Sequence, residues 1–165
     1  MAASASRAAA HPLPDAAAPA ADPSLVAEAA ALLAGASAPV IVAGSGVHSA
    51  EAHDALLRLA EKIGAGVATT IHGRGVLPDG HPLSVGVIGN NGGQPGSNAL
   101  VREADVAILV GTRANATDTD GFTAPARGRC SIVRIDIDPA RASANYPDAV
   151  RLVGDARAIL EAIEA

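Results

Sequence analysis

The stretch from Pro39 to Ser49, PVIVAGSGVHS, constrains this chain more than any other. Val40 to Ala43 run apolar without a break into Gly44-Ser45-Gly46. A short continuous apolar run that ends in turn residues reads as a strand buried on both faces. Gly-x-Gly at its carboxyl end lets the backbone turn tightly and leaves it bare. Ser49 then reads as the N-cap of a helix, with Glu51 in the favoured first turn. Ala52, Leu56, Leu59, Ala60 and Ile63 follow at helical spacing, up to Gly64. A helix there points free N–H groups back at the bare turn.

The rest of the chain repeats this strand, glycine turn and helix. Upstream, Asp22-Pro23-Ser24 marks a helix start, Leu25, Ala29, Leu32 and Leu33 share a face, and Gly35 ends it. Downstream, Gly66 to Thr70 is a second strand. A turn-rich passage follows from His72 to Pro82, of a kind that is usually exposed and often functional. Leu83 to Ile88 is a short strand, and Gly89-Asn90-Asn91-Gly92-Gly93 is a second glycine loop before a helix from about Ser97 to Glu103. Asp105 to Val110 is the clearest buried strand, and it ends in Gly111-Thr112-Arg113 and an irregular polar loop to Pro125. Cys130 to Ile137 is the next strand, closed by Asp138-Pro139 as N-cap and first-turn proline. Val150 to Val153 is the last strand. Gly154-Asp155 then opens a final helix with Ala158, Ile159 and Ile163 facing inward.

Composition limits what such units can build. At 165 residues the chain forms a single core of ordinary size. Aromatics are only 1%, so that core is made of Ala, Val, Leu and Ile, and small helices lie close to a sheet. The net charge is -5, and the 12 Lys and Arg are scattered, which argues against a nucleic-acid surface. A single cysteine, Cys130, forms no internal disulfide and no thiolate zinc site, and reads as a small core residue. No apolar run approaches the length of a membrane span. Met1 to Pro23 is Ala, Pro and Ser without the apolar core of a secretory signal. Residues 1–23 are therefore expected to be a linker or arm, residues 24–165 the folded domain, and the location cytoplasmic.

Strands that alternate with helices over short connections give a parallel sheet covered by helices on both faces. Ligands of such sheets sit at the carboxyl ends of the strands. The polar features gather there: Gly44-Ser45-Gly46, Thr69-Thr70, Gly111-Thr112-Arg113, Asp136 and Gly154-Asp155. A nicotinamide dinucleotide is a poor match. Ser49 stands where the third glycine of the fingerprint belongs, and Val67-Ala68-Thr69-Thr70 offers no carboxylate to a ribose. A P-loop is excluded, because no Gly-Lys-Ser/Thr occurs and Lys62 is the only lysine.

The succession PVIVAGSGV, VATTIHGRGVLPDGHPLSVGVIGNNG, ADVAILVGTR, IVRIDIDPA and GDA resembles the central domain of thiamine-diphosphate-dependent enzymes, in the acetolactate synthase-like branch. The resemblance runs from about Ser24 to Ala165 and keeps the order and spacing of the motifs. It implies an α/β, Rossmann-like three-layer sandwich with a mainly parallel six-stranded sheet. It also implies a longer parent chain, with a pyrimidine-binding domain on one side and a diphosphate-binding domain on the other, assembled as a homo-oligomer. Thiamine diphosphate and Mg²⁺ would be held by those flanking domains. The Gly-Asp pair here, Gly154-Asp155, is followed by Ala156 and no later Asn pair, and Asn90-Asn91 lies upstream. This chain is thus expected to carry no catalytic residue and no metal ligand.

In the resembling enzymes the central domain binds FAD, binds ADP or the CoA nucleotide, or binds nothing, and the three stay open here; the alternative to a central domain is a free-standing nucleotide- or CoA-binding Rossmann-like module. Matched by motif, Gly44, Ser45 and Gly46 would lie along a diphosphate. Thr70 and Ile71 would flank a flavin, with Ile88, Gly89, Asn90 and Asn91 near the ring and ribityl. Gly111 and Arg113 would approach phosphates or ribityl hydroxyls. Asp136 and Ile137 would meet an adenosine, and Asp155 its adenine end. One departure is plain. The synthases follow the matching Gly-x-Arg with Phe-Asp-Asp-Arg, where this chain has Ala114-Asn115-Ala116-Thr117.

Simpler roles compete for the same residues. Gly44 and Gly46 serve the turn alone, Asp138 and Asp155 are helix caps, and Arg113 pairs with Asp118 or Asp120. Asp136 has no evident capping role. His72 and His81 face solvent. His48 and His53, five apart, do not share a helix face and make a poor metal site.

Overall fold

The computed structural model describes residues 20–165, so the arm expected over residues 1–23 lies mostly outside the described residues. In chain order the elements are α1 (Pro23–Ala34), β1 (Pro39–Ala43), α2 (Ser45–Ser49), α3 (His53–Ile63) and β2 (Gly66–Thr69). A single 3₁₀ turn (Ile71–Gly73) precedes β3 (Ser84–Val87), α4 (Pro95–Arg102), β4 (Val106–Val110) and β5 (Ser131–Asp136). Then come α5 (Pro139–Ser143), β6 (Val150–Val153) and α6 (Ala156–Glu164). The six strands form one sheet in the order β3-β2-β1-β4-β5-β6, and every pair is parallel. This is a doubly wound α/β fold, with the strand order reversing between β1 and β4.

The apolar runs end up where continuous burial requires. Val106 to Val110 is buried at every position, and β1 is buried from Val40 to Ala43. Alternate residues feed two cores. Ile41, Ile108, Val110, Val133 and Ile135 meet Leu33, Leu56, Leu59, Ile159 and Leu160 from α1, α3 and α6. Val40, Val42, Ala107, Leu109 and Ile132 face the other way, toward Val101 of α4 and Ala114, Ala124 and Tyr146. That second face is covered only partly by helix. The 112–130 segment closes it, tied by the Tyr146 hydroxyl donating to Pro125 O at 3.0 Å. Phe122 packs edge-on to Tyr146, and the Arg127 guanidinium lies 3.4 Å over the Phe122 ring.

Caps hold three helices as their sequences suggest. Asp22 accepts from Ser24 N, Asp138 from Ala140 N and Asp155 from Ala158 N. The Ser49 cap is a correction. The first helix after β1 starts at Ser45 with Gly44 as its N-cap, and Ser49 is its last residue, its hydroxyl bonded back to Ser45 O. The chain then breaks at Glu51 (φ 49°), so Glu51 lies between two helices, and α3 starts at His53 with Ala52 as an N-cap that makes no side-chain bond. In α6 the inward residues are Ala156, Ile159, Leu160 and Ile163, whereas Ala158 is exposed.

Candidate functional site

Where the strand order reverses, the loops after β1 and β4 meet. Gly44 N–H donates to Val110 O and Gly46 N–H to Gly111 O, both at 2.9 Å. The two turns touch so closely that a Cβ on Gly44 would lie 2.4 Å from Gly111 O, and one on Gly46 would lie 2.6 Å from Gly111 Cα. Gly44 has an ordinary extended backbone (φ -107°), so glycine is required there for space and not for conformation. The amide groups of the turn are also largely committed, because Val47 N–H donates to Gly44 O. The bare cradle of free N–H groups expected from Gly-x-Gly is therefore reduced, and side chains must supply most of any anion contact.

Above this contact lies a groove of about 530 Å³. Of the sequence-derived candidates, Ser45, Gly46, Thr70, Gly111, Arg113, Asp136, Ile137 and Asp155 line it. Gly44 is buried beneath it and does not line it. Ile71, Ile88, Gly89, Asn90 and Asn91 do not line it either. Ile88 is a core residue, Gly89 is clamped by both ends of the Asn98 amide, and Ile71, Asn90 and Asn91 are exposed to solvent. The groove also takes in His72, Asp118 and Arg141, which were not among the candidates, and Thr112, which the sequence places at the strand end beside Gly111 and Arg113. Asp118 comes from the irregular loop after β4, whose path no local pattern announces.

Charge is laid out unevenly along the groove. Arg113 is exposed and forms no ion pair among the described residues; the pairings expected with Asp118 or Asp120 do not occur, since Asp120 pairs with Arg102 at 3.2 Å. Arg141 pairs with Asp138. Asp136 is 6% exposed and has a local role after all, accepting Asp138 N–H through Oδ1 at 3.0 Å. Asp118 is 8% exposed, and its carboxylate has no hydrogen-bond or ion-pair partner among the described residues.

Beneath the groove floor is a residue that the sequence reading passed over. Arg134 interrupts the apolar side of β5 and is fully buried. Its guanidinium donates to Thr112 O, Arg141 O and Ala144 O, each at 3.0 Å, while Nε has no partner. Burial pulls its pKa below the usual arginine value, opposed first by Asp136 and then by Tyr146. It ties the loop after β4 and the helix after β5 to the sheet. A lone charge inside an apolar strand was the available signal. At the other edge, His48 and His53 do meet, because the break at Glu51 folds α2 onto α3. His48 Nδ1 lies 2.9 Å from His53 Nε2, and His48 Nε2 lies 3.2 Å from Arg74 O. The described residues contain no group of three or more candidate metal ligands.

The family model for the thiamine pyrophosphate enzyme central domain matches residues 26–163. The chain belongs to this family. It is 39% identical over 140 residues to a protein of Methanocaldococcus jannaschii assigned as an acetolactate synthase large subunit, covering 84% of this chain and 23% of that one. A sulfoacetaldehyde acetyltransferase of Roseovarius nubinhibens is 37% identical over 144 residues, again 84% of this chain and 23% of the relative. Among solved structures, one described as a thiamin diphosphate-dependent enzyme from Mycobacterium smegmatis superposes with a TM-score of 0.69 at 30% identity, covering 88% of this chain and 28% of that one. The chain thus spans about a quarter of the length of these relatives. The relatives' names cover different reactions, so the central-domain family does not by itself specify a substrate.

Proposed function

We propose that this chain is the non-catalytic central domain of a thiamine-diphosphate-dependent enzyme of the acetolactate synthase-like type, acting on a 2-keto acid as a cytoplasmic homo-oligomer. Its role is to support the flanking pyrimidine-binding and diphosphate-binding domains and to hold a nucleotide, FAD or ADP, in the groove at the strand reversal. Thiamine diphosphate and Mg²⁺ belong to those flanking domains. One observation carries the nucleotide part: eight of the residues matched by motif converge on one groove at the carboxyl end of the sheet. The residues present fit such a group through side chains. Arg113, whose guanidinium has no partner among the described residues, faces a diphosphate together with the Ser45 hydroxyl, and Asp136 keeps one carboxylate oxygen for a ribose hydroxyl. A bound flavin would offer redox chemistry or structural reinforcement. What the chain itself does is bind and orient.

Titration of the full chain with FAD and with ADP tests this. Saturable binding is expected for at least one, and Arg113→Ala should weaken it by about 1.5–3 kcal/mol, the range for a hydrogen bond to a charged group. Arg113 has no ion pair among the described residues, so the variant should keep the wild-type melting temperature. A second reading, a groove that holds no ligand, is favoured by the commitment of the Gly44, Gly46 and Val47 N–H groups to backbone carbonyls. No binding of either nucleotide would establish it.

A further inference from the structure

We infer that Asp118 is a specificity determinant of the groove. It rejects a ligand that ends in phosphate on the β2–β3 side and accepts one that ends there in hydrogen-bond donors. The inference rests on the nucleotide reading above and concerns which nucleotide the groove takes.

The starting observation is an unpartnered carboxylate. Asp118 is 8% exposed and lines the groove, yet neither of its carboxylate oxygens has a partner among the described residues. Its oxygens stay in contact with the solvent of the groove and are committed to no group among the described residues, so a ligand's donors can take the place of water there. The carboxylate is also not needed by its own loop. The turn is made by Asn115, whose Oδ1 accepts Asp118 N–H at 2.9 Å, and by Thr119, whose hydroxyl donates to Asn115 O.

Its place in the groove gives the charge a meaning. The loop carrying Asp118 leans on the end of β3. Asn90 N–H donates to Thr117 O, and a Cβ on Gly89 would lie 3.2 Å from Asp118 Cα. Asp136 ends β5, on the other side of the β1/β4 reversal. Arg113 follows β4, between the two flanks, and carries a cation with no ion pair among the described residues. Along the groove Asp118, Arg113 and Asp136 follow one another, with Arg141 paired to Asp138 and Asp155 capping α6 on the far flank. A ligand with anionic charge in its middle and donors at both ends matches that order. A nucleoside diphosphate laid with its ribose on Asp136 brings its terminal phosphate toward Asp118, where two like charges meet in a partly enclosed space.

The test is the ratio of FAD to ADP affinity, measured by calorimetry on the full chain for wild type, Asp118→Asn and Asp118→Ala. Asparagine keeps the shape and removes the charge. Wild type should prefer FAD, whose ribityl hydroxyls are donors, and Asp118→Asn should lower the FAD:ADP ratio about tenfold, mainly by strengthening ADP. Asp118→Ala should lower it in the same direction. Gain of ADP binding by Asp118→Asn where wild type shows none would equally support the inference. If wild type binds a nucleotide and both variants leave the ratio unchanged, the inference fails and the nucleotide reading survives. If neither wild type nor variants bind FAD or ADP, the nucleotide reading fails and takes the inference with it. Melting temperatures of the variants are expected to match wild type, because no hydrogen bond of the fold ends on this carboxylate. If Asp118→Asn does not fold, Asp118→Ala alone decides between these outcomes.

Discussion

At Gly44 the reason for a glycine differs from the one that the motif suggests. A Gly-x-Gly turn implies a backbone kept bare for a phosphate. In the structure the missing side chain makes room for Gly111 O and Thr112 Cβ, at 2.4 and 2.6 Å from where a Cβ would stand. Gly44→Ala should therefore destabilise the chain by about 1–3 kcal/mol, the usual range for overpacking, whether or not a nucleotide is present. Thermal unfolding without ligand checks this, and an unchanged melting temperature would return Gly44 to the ligand. Arg134 makes the complementary point. It is a buried cation held by three carbonyls instead of a carboxylate, with Nε left without a partner, and those carbonyls belong to segments far apart in the chain. The strand was legible in the residues around it; its partners were not.

Between elements, Asp105 joins the start of β4 to the loop before β1. Its carboxylate accepts N–H from Ser37 at 2.6 Å and from Ala38 at 3.0 Å. These bonds, Ser37's foremost, hold its pKa below the ordinary 3.8. The folded chain then binds this proton less readily than the unfolded chain does. The resulting stabilisation is fully present above pH 3.8 and is lost as pH falls through the lowered folded value. Unfolding free energies of wild type and Asp105→Asn should accordingly converge as pH drops below 3.8, and a pH-independent gap would show that the carboxylate does not act through its charge. The break between α2 and α3 belongs to this scale too. Helical spacing alone runs from Ser49 to Ile63 and predicts one capped helix. The structure splits it because α2 must begin against the turn at Gly44, while α3 packs Leu56 and Leu59 against the sheet. Both helices cannot share one axis, and Glu51 takes the left-handed backbone that the corner requires.

For the molecule as a whole, the family is that of the thiamine pyrophosphate enzyme central domain, and the chain spans about a quarter of the length of its relatives. Its Gly-Asp pair, Gly154-Asp155, is followed by Ala156, and its Asn pair, Asn90-Asn91, lies upstream of it. Calorimetry with thiamine diphosphate and Mg²⁺ is expected to show no saturable binding tighter than about 100 μM, roughly -5.5 kcal/mol, and pyruvate is expected not to be turned over. Binding tighter than that would mean that the domain holds the cofactor by itself.

The sequence by itself determined the sheet, its parallel sense and the side on which the groove forms. Apolar runs in strands buried on both faces, joined by helices, leave a right-handed doubly wound sheet as the consistent packing. Local chemistry likewise placed the caps at Asp22, Asp138 and Asp155, because a cap is decided within three residues. Tertiary structure alone decided what lies far apart in sequence and close in space. It set Gly44 against Gly111, drew Arg134 under the loop after β4, and brought Asp118 into the groove. It also kept Gly89, Asn90 and Asn91 out of that groove. The first follows from the pairing of β1 with β4; the others depend on the path of the 112–130 segment over the second sheet face, and an irregular loop has no period from which that path can be read.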